Sequence, residues 1–153
     1  SGGLPLSKRA PQRQAYRLVE LQRFSEWLQA PINVQPRYFP VSGDDAARLI
    51  IAVDLHDGVE AAMRIADAIL RAVWVQERHI ADEATLLALV AECELPARRL
   101  EDAHSQGAQE RYERNTERAI EAGVFGAPSY VIDNEIFWGQ DRLDFVERRL
   151  AGR

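Results

Sequence analysis

Residues 123–140 read GVFGAPSYVIDNEIFWGQ, and this stretch decides the fold because its apolar pattern is that of strands, whereas the rest of the chain is patterned like helices. Residues 130–132 and 136–138 are apolar and flank Asp133 and Asn134, a two-residue loop of the kind that closes tight hairpins. The stretch therefore predicts two antiparallel strands joined by a short turn.

The predicted hairpin carries apolar side chains on both faces, since Tyr130 and Ile132 point one way and Val131 the other. Both faces then need cover, as in the core of an α/β protein. A two-stranded hairpin is marginal in water, and the only strand candidate upstream, residues 32–35, is short and bounded by prolines. We therefore expect the partner strands to lie outside these 153 residues.

Most of the remaining chain is predicted to be helical from its apolar spacing and its capping residues. The predicted helices cover residues 11–28, 42–56, 59–76, 82–93, a short segment from 95, 108–122 and 140–150. The first helix is expected to bury one apolar face, which consists of Ala15, Leu18, Val19 and Leu28. The helix at 59–76 is expected to lie in the core through Met63, Ala66, Ile69, Leu70 and Val73.

The composition argues against several classes of function. The net charge is −5, and 19 Lys and Arg residues are interleaved with 24 Asp and Glu, which disfavours a nucleic-acid partner. No apolar run approaches the roughly 20 residues that span a bilayer, so no membrane association is expected. One cysteine cannot form an internal disulfide, and the 3 histidines follow no metal-ligand spacing. We expect a cytoplasmic protein without a metal site.

A family resemblance runs along nearly the whole chain. It is carried by the segments RAPQRQAYRLVELQRF, PINVQPRYFP, AVWVQERHIADE and GVFGAPSYVIDNEIFWGQDRLDFVERRL. These segments resemble 2-hydroxychromene-2-carboxylate isomerases and kappa-class glutathione transferases, which belong to the DsbA-like group of thioredoxin folds. The resemblance implies an α/β, thioredoxin-like fold with a large helical insertion domain. The chain would then be mostly helical, with a C-terminal β-hairpin and a final helix.

The resemblance also implies a domain organisation. Residues 1–122 would form the helical insertion domain, and residues 123–153 would complete a thioredoxin-like domain. In the family that domain begins with a strand-helix-strand unit that holds a catalytic serine. This unit is absent from the sequence, so no catalytic residue is assigned here.

The resemblance implies glutathione as the cofactor and suggests which residues bind it. Ala127 and Pro128 match the cis-proline loop, whose backbone pairs with the cysteinyl segment of glutathione. Gln140 and Asp141 would bind the γ-glutamyl end, and Arg13 falls near the glycyl carboxylate. Each residue also has a purely structural interpretation: a chain break before a strand for Pro128, helix capping for Gln140 and Asp141, and a solvated helix surface for Arg13.

The expected function is that of a glutathione-dependent isomerase acting on a hydroxychromene carboxylate from aromatic catabolism. The thiolate of bound glutathione would add reversibly to the conjugated substrate and permit rotation about the former double bond. Tyr38, Phe39 and Trp74 are candidates for the pocket of the small aromatic substrate, although they could equally be core residues. The alternatives are a non-catalytic thiol- or peptide-binding module or a glutathione transferase, and a homodimer is left open.

Overall fold

The computed structural model describes residues 4–152, and most of them are helical. The helices are α1 (Pro11–Leu28), α2 (Asp44–Asp57), α3 (Val59–Trp74), α4 (Glu83–Glu92), α5 (Arg99–Asp102), α6 (Gln106–Glu121) and α7 (Leu143–Leu150). The strands are β1 (Ser129–Ile132) and β2 (Glu135–Trp138), and 3-10 turns cover Leu6–Lys8 and Gln140–Arg142. No helix in this described part is long and apolar enough to cross a membrane.

The chain divides into two compact units, and each is described by itself. The helical unit is Ala10–Tyr112, and the hairpin unit contains the described residues up to Arg9 together with the chain from Glu113 onward. The division falls within α6. The assignment of residues 1–122 and 123–153 to separate domains stays a prediction.

The predicted hairpin is confirmed. Strands β1 and β2 pair antiparallel, with Ser129 opposite Trp138 and Ile132 opposite Glu135. The connecting residues Asp133 and Asn134 have φ values of 49° and 65°, which is the geometry of a type I′ turn. Such a turn matches the right-handed twist of the strands, so the two-residue loop sets the register.

The final helix differs from the prediction at its start. The helical pattern from Gln140 predicts a continuous helix to Leu150, but Gln140–Arg142 forms a 3-10 turn and α7 begins only at Leu143. The turn closes through a 3.2 Å hydrogen bond from the Arg142 N–H to the Gly139 carbonyl. Tight 3-10 turns are common at helix starts, and apolar spacing alone does not distinguish them from the first turn of an α-helix.

The core of the helical unit is formed by α2, α3, α4 and α5. Its largest fully buried side chains are Leu49, Ile65, Leu89, Val53 and Val90. Between them lie small residues, namely Ala46, Ala52, Ala61, Ala62 and Ala72. Alanine at these positions lets the helix backbones approach closely, so the large side chains can pack between them.

One prediction about a buried helix face is wrong, and a second is only partly right. Helix α1 buries no residue, and its Val19 and Leu28 are 46% and 59% exposed. In α3, Met63 and Leu70 are 65% and 59% exposed, while Ile69 lies in the core as predicted. Helix α3 is apolar on more than one side, and the side with three alanines packs inward because it allows the closer approach.

One ion cluster lies inside this unit. The Arg99 side chain is only 4% exposed and donates from Nη2 to Asp57 Oδ1 and from Nη1 to Asp102 Oδ2, both at 2.8 Å. Arg99 Nε donates to the second Asp57 oxygen, so the pair is bidentate. The hydrogen bonds from Arg99 hold the pKa of the Asp57 carboxyl below its ordinary value. Because Asp57 ends α2 and Arg99 begins α5, the cluster fixes these two helix ends together.

We predict that Asp57→Asn lowers the free energy of unfolding at neutral pH by about 1.5 to 3 kcal/mol, because the buried guanidinium loses its bidentate anion. Since folding lowers the pKa of Asp57, the stabilisation is present above the ordinary carboxyl pKa of about 4. It is lost as the pH falls through the folded-state pKa. Urea unfolding of wild type and Asp57→Asn at a series of pH values measures this loss. The difference in their free energies of unfolding should become smaller below about pH 4.

Asp133→Asn is a matched control, because Asp133 pairs with Arg149 at 3.2 Å while its own side chain is 75% exposed. Its effect should stay below about 1 kcal/mol at every pH. If the two variants were equally stable, the view that Arg99 depends on Asp57 would be wrong.

Candidate functional site

The loop that enters β1 carries the first group of candidate residues. The peptide bond between Ala127 and Pro128 is cis, as predicted, and both residues are exposed. The Ser129 hydroxyl donates to the Gly126 carbonyl at 2.6 Å, and the Gly139 N–H donates to the Pro128 carbonyl at 3.0 Å. Within residues 4–152, no hydrogen bond involves the backbone N–H or carbonyl of Ala127. These two groups are therefore available to an extended ligand segment.

An indole packs against this loop. The rings of Phe125 and Trp138 meet edge to face with centroids 5.0 Å apart. A Cβ atom on Gly126 would lie 2.5 Å from Trp138 Nε1, so only glycine fits beside the indole as it stands. Neither Gly126 nor Trp138 was predicted from the sequence to have a role in the loop. The available signal was a glycine that directly precedes Ala127-Pro128 in a stretch rich in aromatic residues.

The second group of candidates follows β2. Gln140 and Asp141 are exposed in the 3-10 turn, and Asp141 Oδ2 accepts a 2.7 Å hydrogen bond from Arg142 Nη1. Gly139 has a φ of 115°, and a Cβ there would lie 2.5 Å from Asp141 Oδ1, so glycine lets the carboxylate lie against the backbone. A carboxylate has about four acceptor positions, and the bond from Arg142 leaves room for a ligand ammonium.

The structure brings these two groups together. Pro128 directly precedes β1, Gly139 directly follows β2, and Ser129 pairs with Trp138 at that end of the hairpin. The hydrogen bond between Gly139 and Pro128 continues the ladder by one step. A free backbone edge at Ala127 and a carboxylate in the following turn therefore share the open end of the hairpin.

The helical unit contains the predicted aromatic residues. The rings of Phe39 and Trp74 lie 4.7 Å apart, whereas Tyr38 lies against His79 at 4.9 Å. Phe39 and Tyr38 lie in the segment between α1 and α2. This segment is joined to the end of α3 by a hydrogen bond, in which Asn33 donates its N–H to the Trp74 carbonyl at 2.6 Å. The structure thus pairs Phe39 with Trp74 and places Tyr38 in a different contact.

A cation that the sequence analysis missed accompanies the aromatic pair. The Arg17 guanidinium carbon lies 5.5 Å from the ring centroid of Phe39 and 5.8 Å from that of Trp74. Arg13 precedes it by four residues on α1 and is exposed, and its side chain makes no hydrogen bond, ion pair or ring contact with a described residue. The available signal was this spacing, which puts both arginines on one face of α1.

A cavity of about 540 Å³ adjoins Trp74 between the second half of α1 and α3. Its apolar lining includes Leu21, Phe24, Leu28, Leu70 and Trp74. Its volume is within the range of small-molecule sites. Cys93 lines a separate hollow beside Met63 and Arg64. Burial raises the pKa of the Cys93 thiol, so the thiolate is disfavoured there.

Comparison with known proteins identifies relatives along nearly the whole chain. The family model described as a DSBA-like thioredoxin domain matches residues 1–151. A 2-hydroxychromene-2-carboxylate isomerase of Pseudomonas putida is 34% identical over 140 residues, which cover 89% of this chain and 64% of that protein. A protein of the same name from Sphingobium xenophagum is 30% identical over 134 residues, covering 87% and 66%. The chain thus spans less than two thirds of the length of these relatives.

Two solved structures resemble this chain in fold. A structure described as a 2-hydroxychromene-2-carboxylate isomerase superposes with a TM-score of 0.78 at 25% identity, covering 98% of this chain and 71% of that one. A putative protein disulfide isomerase from Nitrosomonas europaea gives a TM-score of 0.67 at 24% identity, covering 88% and 65%. These findings confirm the predicted family resemblance and the thioredoxin-like fold. The individual site residues stay predictions.

We predict that Gly126→Ala destabilises the hairpin unit by about 1 to 3 kcal/mol, because the new methyl group collides with the Trp138 indole. Urea unfolding measures the cost, and near-UV circular dichroism follows the displaced indole. Gly107→Ala is the matched control, because a Cβ there meets nothing within 4 Å and alanine suits the helical backbone at the start of α6.

A double variant tests the cause. In a Trp138→Leu background, Gly126→Ala should cost much less, because the atoms that it meets are gone. An equal cost in both backgrounds would show that the glycine is required for another reason.

Proposed function

We propose that this chain, which belongs to the family of DSBA-like thioredoxin domains, is part of a glutathione-dependent isomerase that acts on 2-hydroxychromene-2-carboxylate or a similar aromatic carboxylate. The main support is the set of relatives that carry this name and match along nearly the whole chain, at 30% to 34% identity. The open end of the hairpin adds a surface whose chemistry suits the cofactor.

The residues at this end fit an extended peptide with a free amino acid at its terminus. Ala127 is exposed, and its N–H and carbonyl can accept a short segment as an added strand. Asp141 offers a carboxylate to an α-ammonium group, and Arg142, which holds that carboxylate, offers donors to an adjacent α-carboxylate. The γ-glutamyl end of glutathione carries both charges on one carbon.

Glutathione, when bound, supplies a thiol whose thiolate is a strong nucleophile. The residues of this chain contribute orientation. Ala127 fixes the direction of a peptide backbone through two hydrogen bonds, and Asp141 anchors one end of it. Holding two reactants in a productive geometry removes much of the entropic barrier to their reaction. Lowering the pKa of the thiol is not assigned to any of the 153 residues.

The aromatic residues of the helical unit suit the other reactant. Phe39 is 38% exposed and pairs with Trp74, so the two rings offer a partly accessible apolar surface for a planar substrate. Tyr38 is occupied by its contact with His79, and we propose no direct substrate contact for it. Arg13 keeps its proposed role as a partner for the glycyl carboxylate, since its guanidinium is exposed.

A non-catalytic thiol- or peptide-binding module is the second candidate. The observation that favours it is the accessible backbone of Ala127, because β-augmentation requires no reacting group. Turnover separates the two functions, since a binding module would bind glutathione or a peptide and convert nothing.

We predict that the full-length protein converts 2-hydroxychromene-2-carboxylate only when reduced glutathione is present. The measurement is the change in substrate absorbance with reduced glutathione, with oxidised glutathione, and without either. Turnover that is independent of the thiol would contradict the cofactor assignment. Glutathione binding without any turnover would favour the module.

We further predict that Asp141→Asn weakens glutathione binding by the full-length protein about tenfold to a hundredfold. A charge-assisted contact to an ammonium is worth about 1.5 to 3 kcal/mol, and asparagine keeps the size of the side chain but removes its charge. Isothermal calorimetry gives the affinity, and the melting temperature reports on the fold.

Asp144→Asn in α7 is the control, because Asp144 is an exposed acid close by in the chain that receives no role in binding. Equal glutathione affinity in wild type and Asp141→Asn would remove Asp141 from the cofactor site.

A further inference from the structure

Arg17 on α1 lies beside two aromatic rings. Its guanidinium lies within 6 Å of the centroids of two aromatic rings, Phe39 and Trp74, which themselves are tilted by 44°. A cation over the face of an aromatic ring is attracted by the ring quadrupole, so these contacts restrain the guanidinium. A planar fork of N–H donors is thereby held beside an apolar surface.

Helix α1 gains little stability from this arrangement. It buries none of its residues, so Arg17 does not cover a core face of α1. Arg13 and Arg17 are four residues apart, and like charges at this spacing destabilise a helix. Of these two cations, Arg17 is the one that lies beside the aromatic pair.

The combination matches one class of ligand. A planar aromatic acid presents a ring and a carboxylate in fixed relation, and the cluster presents an aromatic surface and a guanidinium within 6 Å of each other. Arginine binds carboxylates through paired N–H donors, and its five donors allow one guanidinium to serve several acceptors at once. A neutral aromatic compound would use only the rings.

We infer that Arg17 determines specificity by binding the carboxylate of an aromatic substrate whose ring lies against Phe39 and Trp74. This inference rests on the proposed function, because that function supplies an aromatic carboxylate as substrate. Arg17 acts in substrate selection and takes no part in bond making or breaking.

The test compares a charged ligand with a neutral one of the same shape. Binding of 2-naphthoate and of 2-naphthamide to the full-length protein is measured by calorimetry for wild type, Arg17→Met and Arg17→Lys. Wild type should prefer the carboxylate about tenfold or more. Arg17→Met should lose this preference, and Arg17→Lys should keep part of it, since lysine retains the charge without the planar fork.

Arg23→Met is the matched control, because Arg23 also lies on α1 and is exposed, with Glu20 as its partner at 2.9 Å. It should leave the preference unchanged. Phe39→Leu should weaken the binding of 2-naphthoate and of 2-naphthamide to the same extent, because it removes ring surface and no charge. Melting temperatures of all variants show whether any of them has lost its structure. If Arg17→Met is unstable, the partial loss of the carboxylate preference in Arg17→Lys tests the role of Arg17.

Catalytic assays separate this inference from the proposed function. If glutathione-dependent turnover occurs, Arg17→Met should raise KM about tenfold with little change in kcat, because substrate binding is weakened and the reacting atoms are untouched. Unchanged KM and an unchanged preference for 2-naphthoate would overturn the role of Arg17 while the isomerase remained. Absence of turnover would reject the isomerase, and the naphthoate comparison would still decide whether Arg17 selects a carboxylate.

Discussion

The hydrogen bond from the Gly139 N–H to the Pro128 carbonyl is the interaction on which the candidate cofactor site depends. It joins the chain just before β1 to the chain just after β2. Without this hydrogen bond, the loop at Ala127 and the turn at Asp141 would not be held together, and the distance between them would vary. The bond also uses the Pro128 carbonyl, whereas Ala127 keeps both of its backbone groups for a ligand. The hydrogen bond between Gly139 and Pro128 thus holds the two parts of the candidate site together and leaves the Ala127 backbone groups for a ligand.

The helical unit is stabilised differently. Its core relies on close helix packing through alanines and on the guanidinium of Arg99 buried between Asp57 and Asp102. A buried charge of this kind adds little net stability compared with apolar packing, but removal of one partner is costly. The cluster therefore acts mainly as a geometric restraint on helix ends. Helix α1 lies outside this core and buries no residue, which leaves Arg13 and Arg17 at the surface.

The sequence predicted the type of nearly every element because the signals were local. Proline at the start of α1, Asp82 before α4 and the Asp133-Asn134 turn each determine a boundary through their own backbone chemistry. The side chain of Asp82 accepts from the Thr85 N–H at 2.9 Å, as its capping role requires. Apart from the start of α7, the errors concern which face of a helix is buried, since that depends on neighbours that the helix itself does not encode. Met63 and Leu70 are apolar and exposed for this reason.

The same distinction applies to the site. The cis peptide bond at Ala127-Pro128 could be predicted from the family resemblance, and the binding roles of Ala127 and Asp141 stay predictions. Arg17 could not be predicted, because its contacts with Phe39 and Trp74 join three separate segments of the chain. Nor could the sequence show that Arg142 holds Asp141. That pair is about half exposed on both sides, and such surface pairs contribute roughly 0 to 1 kcal/mol. A ligand ammonium can therefore bind the Asp141 carboxylate with only a small loss of the interaction between Asp141 and Arg142. The pair orients the carboxylate before binding without competing strongly for it.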